Sequence, residues 1–129
     1  MATRRVLDIG QCNYDHSRIS ALIRAEFGAE VVRVHSATEA MERLRNETFD
    51  LVLVNRVLDQ TAEEGIDLIR EAKANAKTSA APVMLVSNFP EAQVEAVAAG
   101  AIPGFGKASL AEVATRERLE KYLGGVGVS

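Results

Sequence analysis

Short apolar runs alternate with amphipathic stretches along the whole chain. Leu51-Val52-Leu53-Val54 and Val83-Met84-Leu85-Val86 each hold four apolar residues without a polar break. That is the pattern of strands buried on both faces of a parallel sheet. Val6-Leu7-Asp8-Ile9, ended by Gly10, predicts another strand, in which the Asp8 carboxylate needs partners. Glu30 to His35 predicts a further strand, and Arg33 among its valines places it at a sheet edge. Ile102 to Phe105, broken by Pro103 and Gly104, predicts a weak last strand.

Between these runs the apolar period becomes helical. Ile19, Leu22, Ile23 and Phe27 form a stripe ended by Gly28, with Asn13 and Asp15 as candidate caps. Ser36 with Glu39 makes a capping box ahead of Ala40, Met41 and Leu44. Thr61 with Glu64 predicts a second box, opening a helix whose Ile66, Ile69 and Ala72 face inward. Pro90 suits the first turn of a helix with Val94, Val97 and Ala98 inward and its end at Gly100. Ser109 is the candidate cap of a last helix carrying Leu110, Val113, Leu119, Tyr122 and Leu123.

The order is therefore strand then helix, five times, an α/β (βα)5 sandwich around a five-stranded parallel sheet with right-handed crossovers. Residues 1–123 read as one domain and residues 124–129 as a flexible C-terminal tail. With 129 residues, 47% of them apolar, the chain can bury a real core. The net charge of −3 and the lack of a basic run argue against nucleic acid as partner. Cys12 is the only cysteine, which excludes an internal disulfide and a cysteine-rich zinc site. No apolar run is long enough to span a bilayer, and Met1 to Asp8 lacks the apolar core of a secretion signal. A cytoplasmic protein without a membrane role is the expectation.

In parallel α/β sheets, sites lie beyond the carboxyl ends of the strands. Asn55 and Arg56 hold that position after the third strand, Ser87 and Asn88 after the fourth, and Lys107 after the fifth. Asp50 to Asn55, Pro82 to Ser87, and Ala98-Ala99-Gly100-Ala101 followed by Lys107 together resemble the receiver (CheY-like) domain of two-component response regulators. The similarity spans Arg5 to Leu123 and implies the flavodoxin-like strand order 2-1-3-4-5.

The resemblance implies that Asn55 stands where the family has its phosphate-accepting aspartate, with Ser87 and Lys107 at the hydroxyl and lysine positions. The acidic pair that holds Mg²⁺ in the family falls on Gly10-Gln11 in one register and Cys12-Asn13 in another, neither with a carboxylate. A third register uses Asp8 but makes Thr3-Arg4-Arg5 the strand body. The family's fifth-strand aromatic falls at Gly104, with Phe105 next to it.

An amide is no phosphoryl acceptor, and Mg²⁺ wants carboxylates and water. The expectation is a degenerate pseudo-receiver with no catalytic residue, no metal and no cofactor. Asn55 would accept a hydrogen bond from Lys107 and donate one to Ser87. Output would pass through a protein partner on the face of the fourth helix, fifth strand and fifth helix, or through a homodimer. Ala92, Ala96 and Ala99, among Glu91, Gln93 and Glu95, would give that face its small side chains.

Two alternatives stand beside it. One is a working receiver with Asp8, Asp15 or Asp59 as acceptor. The other is an anion-binding domain using Arg56, Asn88 and Lys107. Cys12, Asp15, His16 and His35 at irregular spacing form a weak metal-site signal. Gly104-Phe105-Gly106-Lys107 fails as a phosphate loop, with Ala108 in place of the hydroxyl.

Overall fold

The computed structural model describes residues 3–124, and most of the expected tail lies outside them. Five parallel strands, β1 (Arg5–Ile9), β2 (Glu30–Val34), β3 (Leu51–Asn55), β4 (Val83–Val86) and β5 (Ile102–Phe105), pair in the order β2-β1-β3-β4-β5. They alternate with α1 (Asn13–Phe27), α2 (Ala37–Asn46), α3 (Gly65–Ala74), α4 (Pro90–Ala98) and α5 (Val113–Leu123). A single 3₁₀ turn, Lys107–Ser109, follows β5. The fold is the (βα)5 sandwich that the pattern predicted, with the flavodoxin-like strand order that the resemblance implied. No described helix is long and apolar enough to cross a membrane.

Because side chains alternate along a strand, each central strand feeds two cores. Leu7, Ile9, Val52, Val54 and Leu85 pack against α2, α3 and α4. Val6, Leu51, Leu53, Met84 and Val86 pack against α1 and α5. All five residues of β3 are buried, as its uninterrupted apolar run requires. β2 is an edge strand, and Arg33 is half-buried there.

Four local expectations need correction. The α1 cap is Cys12, whose Sγ accepts from Asp15 N, while Asn13 and Asp15 lie inside the helix. Thr61 and Glu64 form no capping box. The Thr61 hydroxyl bonds within its own turn to Glu63, and a Val57–Glu64 bridge closes the loop, so α3 starts one residue past Glu64. Ser109 does not cap α5, because the 3₁₀ turn holds Ser109 and α5 begins only at Val113 after Glu112, which leaves Leu110 outside the helix and Val113 exposed.

The largest correction is the face of α4. Ala92 and Ala96 are buried, while Val94 is 71% and Val97 45% exposed. Small side chains let α4 lie close to the sheet, and the valines turn outward beside β5. The alanines therefore belong to the core, not to a docking surface.

Candidate functional site

The carboxyl ends of β1, β3, β4 and β5 converge on the loops that hold the expected site residues. Gly10 leaves β1 with φ +75°, and a Cβ there would lie 2.4 Å from the Leu58 side chain. Both conditions call for glycine. The turn aims the Gly10 carbonyl at β3, where the Asn55 side-chain amide donates to it at 3.0 Å and the Asp59 backbone N–H at 3.0 Å.

Asn55 is 8% exposed, and all its side-chain bonds go to backbone. Its Nδ2 donates to Gly10 O and, at 2.7 Å, to Val57 O, and its Oδ1 accepts from Arg56 N at 3.0 Å. Two carbonyl acceptors fix which end of the amide carries nitrogen. Lys107 and Ser87 were the expected partners, and neither bonds to it. Ser87 Oγ accepts from Phe89 N at 3.1 Å, and Lys107 Nζ pairs with Asp15 Oδ2 at 2.8 Å.

Asp15 reaches this position from the first turn of α1, and the Cys12 thiol donates to the same oxygen at 3.3 Å. Burial pushes the Asp15 carboxyl up, but the bonds from Lys107 and Cys12 hold it below its ordinary value. Sequence reading missed this pair because nothing in the chain marks Asp15 and Lys107 as neighbours.

The remaining loop residues divide by burial. Gln11 is fully buried, with its backbone carbonyl held by the Arg33 guanidinium at 2.9 Å, whereas Asn13 is exposed. Asp8 is fully buried and meets His16 Nδ1 at 2.6 Å. Burial pushes the Asp8 carboxyl up, against the His16 hydrogen bond and the weaker pull of the Gln11 amide and Arg33. His35 turns instead to Asp59, 3.7 Å away. Cys12 and Asp15 bond to each other, but His16 turns to Asp8 and His35 to Asp59, so the four do not converge on one point.

Asn55, Arg56, Val57, Val86, Ser87, Asn88, Phe89 and Lys107 line an open cleft of about 250 Å³. The Arg56 guanidinium lies 5.0 Å from the Phe89 ring centre. It has no carboxylate partner within salt-bridge distance among the described residues. Asn88 Oδ1 accepts from Ala108 N at 3.0 Å, tying the β4 and β5 loops together.

No protein-family model matches the sequence, and no curated protein matches it. Solved structures do. A CheY-like receiver domain protein from Methanospirillum hungatei JF-1 superimposes with a TM-score of 0.71 at 24% identity, over 93% of this chain and 90% of that one. The fold is that of a response-regulator receiver. Chemotaxis response regulator CheY4 of Vibrio cholerae is similar, with a TM-score of 0.72 at 17% identity over 95% of this chain and all of that one. So is the receiver domain of the sensor histidine kinase PA1611 from Pseudomonas aeruginosa PAO1, with a TM-score of 0.72, 19% identity, and 95% and 99% coverage. That domain carries magnesium in its active-site cleft. On this receiver fold, Asn55 ends β3, Ser87 follows β4 and Lys107 follows β5.

Proposed function

We propose that this chain is a pseudo-receiver, a signalling module of two-component type that acts by phosphorylation-independent protein–protein interaction. The observation that carries the reading is the Asn55 amide, bonded to the carbonyls of Gly10 and Val57. A phosphoryl acceptor needs an anionic oxygen, and the transfer needs a divalent cation to offset phosphate charge. Asn55 supplies no anion, and both N–H groups of its amide are spent on the carbonyls of Gly10 and Val57.

The surrounding donors do not fit Mg²⁺. Gly10, Gln11, Cys12 and Asn13 contribute no carboxylate, and Asp15 Oδ2 is committed to Lys107 and Cys12. With Asp15 paired to Lys107 and the Asn55 amide bonded to backbone carbonyls, no carboxylate lines the cleft among the described residues. The protein carries out no chemistry of its own and takes no cofactor. It works in the cytoplasm, through a protein partner or a second copy, without nucleic acid or membrane.

The partner surface on this reading is the face of α4, β5 and α5. Val94, Val97 and Pro103 are exposed apolar residues on it, and with Gln93, Gly104 and Arg118 they line a groove of about 330 Å³. Pro103 on the edge strand removes a backbone donor and discourages strand addition. Docking there is side chain to side chain.

The test is incubation with acetyl phosphate and Mg²⁺, followed by intact-mass measurement. The protein stays unmodified; one added phosphate, on Asp8, Asp15, Asp59 or elsewhere, overturns the reading.

Arg56 favours a second reading, in which the cleft takes a free oxyanion without covalent chemistry. It is a cation without a carboxylate partner among the described residues, in a cleft that Lys107, Ser87 and Asn88 also line. Thermal-shift titration with inorganic phosphate separates the readings. A flat response removes this one, and a saturable rise abolished by Arg56→Ala supports it.

A further inference from the structure

The β4–β5 ladder is irregular. Met84 pairs with Ile102 and Val86 with Phe105, so one residue on β4 faces two on β5, Pro103 and Gly104. Such a bulge leaves backbone groups without ladder partners. Pro103 has no N–H, which leaves the Leu85 carbonyl and the Gly104 N–H to be satisfied by other means.

One side chain takes both. Gln93 on α4 donates from Nε2 to Leu85 O at 2.9 Å and accepts at Oε1 from Gly104 N at 3.2 Å. The same Nε2 lies 3.2 Å from Ser87 O and 3.4 Å from Phe105 O. On the other side, Arg118 of α5 donates to Gly104 O at 2.8 Å. Gly104 is thus held at its N–H by one helix and at its carbonyl by another. A Cβ at this position would fall 2.1 Å from Leu85 O and 3.0 Å from Gln93 Oε1, so no side chain fits without displacing the strand.

We propose that Gln93 is the lock of the α4–β5–α5 face: its amide splices α4 into the bulged edge of the sheet and holds that face in a single conformation. The proposal deepens the pseudo-receiver reading, on which this face is the docking surface, by making the surface constitutive. Ser87 lies at the cleft and Gly104 in the groove, and Gln93 bonds to both. Motion at either end therefore has to break bonds of the same amide. Asn55 closes the cleft chemically, and Gln93 keeps its outer surface in one shape.

Residue-resolved amide hydrogen exchange on the full chain tests this without a partner. In the wild type, the Gly104 and Phe105 amides are protected. In Gln93→Ala they exchange faster, on the order of tenfold, as expected for losing one or two net hydrogen bonds. The β1 and β3 amides keep their wild-type rates. Unchanged exchange at Gly104, or a uniform rise across the sheet, overturns the proposal.

Gln93→Glu supplies a second readout should Gln93→Ala fail to fold. The carboxyl introduced by this substitution can still donate to Leu85 O while protonated. Once ionised, it faces the carbonyls of Leu85, Ser87 and Phe105 with no proton to offer. Their repulsion turns the side chain out to solvent, which takes the acceptor away from the Gly104 N–H as well. Relative to wild type at each pH, Gly104 exchange then accelerates as pH rises through the carboxyl range. A ratio that stays constant with pH counts against the lock. Phosphate incorporation is measured separately, so failure of the pseudo-receiver reading and failure of the lock are distinguishable.

Discussion

The side-chain amide of Asn55 donates to the carbonyl of Val57, two residues on, at 2.7 Å. With its second bond to Gly10 O, Asn55 joins the Asp59 N–H in tying the β1 and β3 loops together. Where the resemblance to receivers implies an anion, this side chain works as a donor to buried backbone.

Asn55→Asp therefore costs stability. A carboxylate in that place offers no N–H to Gly10 O or Val57 O, and two acceptors are left facing an anion. Losing partners for buried polar groups costs about 1–3 kcal/mol, so denaturant unfolding should show a drop of about 2 kcal/mol. A variant as stable as wild type would mean that the amide bonds contribute little.

Asp8 should give the protein a distinctive pH response. Burial raises its carboxyl above the ordinary range in the folded state. Between the ordinary value and the raised one, the folded chain holds a proton that the unfolded chain releases. Stability from this group is therefore full below the unfolded pKa and is lost as pH rises through the folded one. Thermal melts of wild type and Asp8→Asn from about pH 4 upward should show the wild type losing ground to the variant as pH rises. A difference that does not change with pH contradicts this assignment.

Cys12→Ala removes the sulfur cap of α1 and a donor to Asp15, at a cost of about 1 kcal/mol. Cys12→Ser keeps an oxygen cap and should restore most of it. Equilibrium unfolding of both variants distinguishes a cap from a bystander thiol.

The orientation of α4 sets apart two substitutions that lie close together in the sequence. Ala96→Leu overpacks the buried face and should destabilise by about 1–3 kcal/mol. Val94→Lys, on the open face, should stay within about 0.5 kcal/mol of wild type. Equilibrium unfolding of the two variants gives the ranking, and the reverse order would put the valines in the core.

That helix also shows where sequence reading stops. β3 and β4 are legible because four apolar residues in a row need burial on both faces, and Gly10 and Gly28 mark ends by their left-handed φ. In α4, valine looks more apolar than alanine, so hydropathy selects the outer face. What decides the orientation is how close Ala92 and Ala96 let the helix come to the sheet.

The candidate site was legible as a set of positions: Asn55 ends β3, and Ser87 and Lys107 follow β4 and β5. Their bonds were not. Asn55 binds the carbonyls of Gly10 and Val57, and Gln93 binds those of Leu85 and Ser87, all backbone atoms that no residue type announces. The Asp15–Lys107 pair joins α1 to the turn after β5, a closeness that only the folded chain creates.

The most direct test of the central claim is phosphate incorporation into Asn55→Asp, treated with acetyl phosphate and Mg²⁺ and weighed intact. The substitution restores a carboxylate at the end of β3 but leaves Gly10, Gln11, Cys12 and Asn13 unable to offer one to a cation. The variant, like the wild type, gains no mass. One phosphate on the variant would show that the missing acidic residues do not keep this site silent.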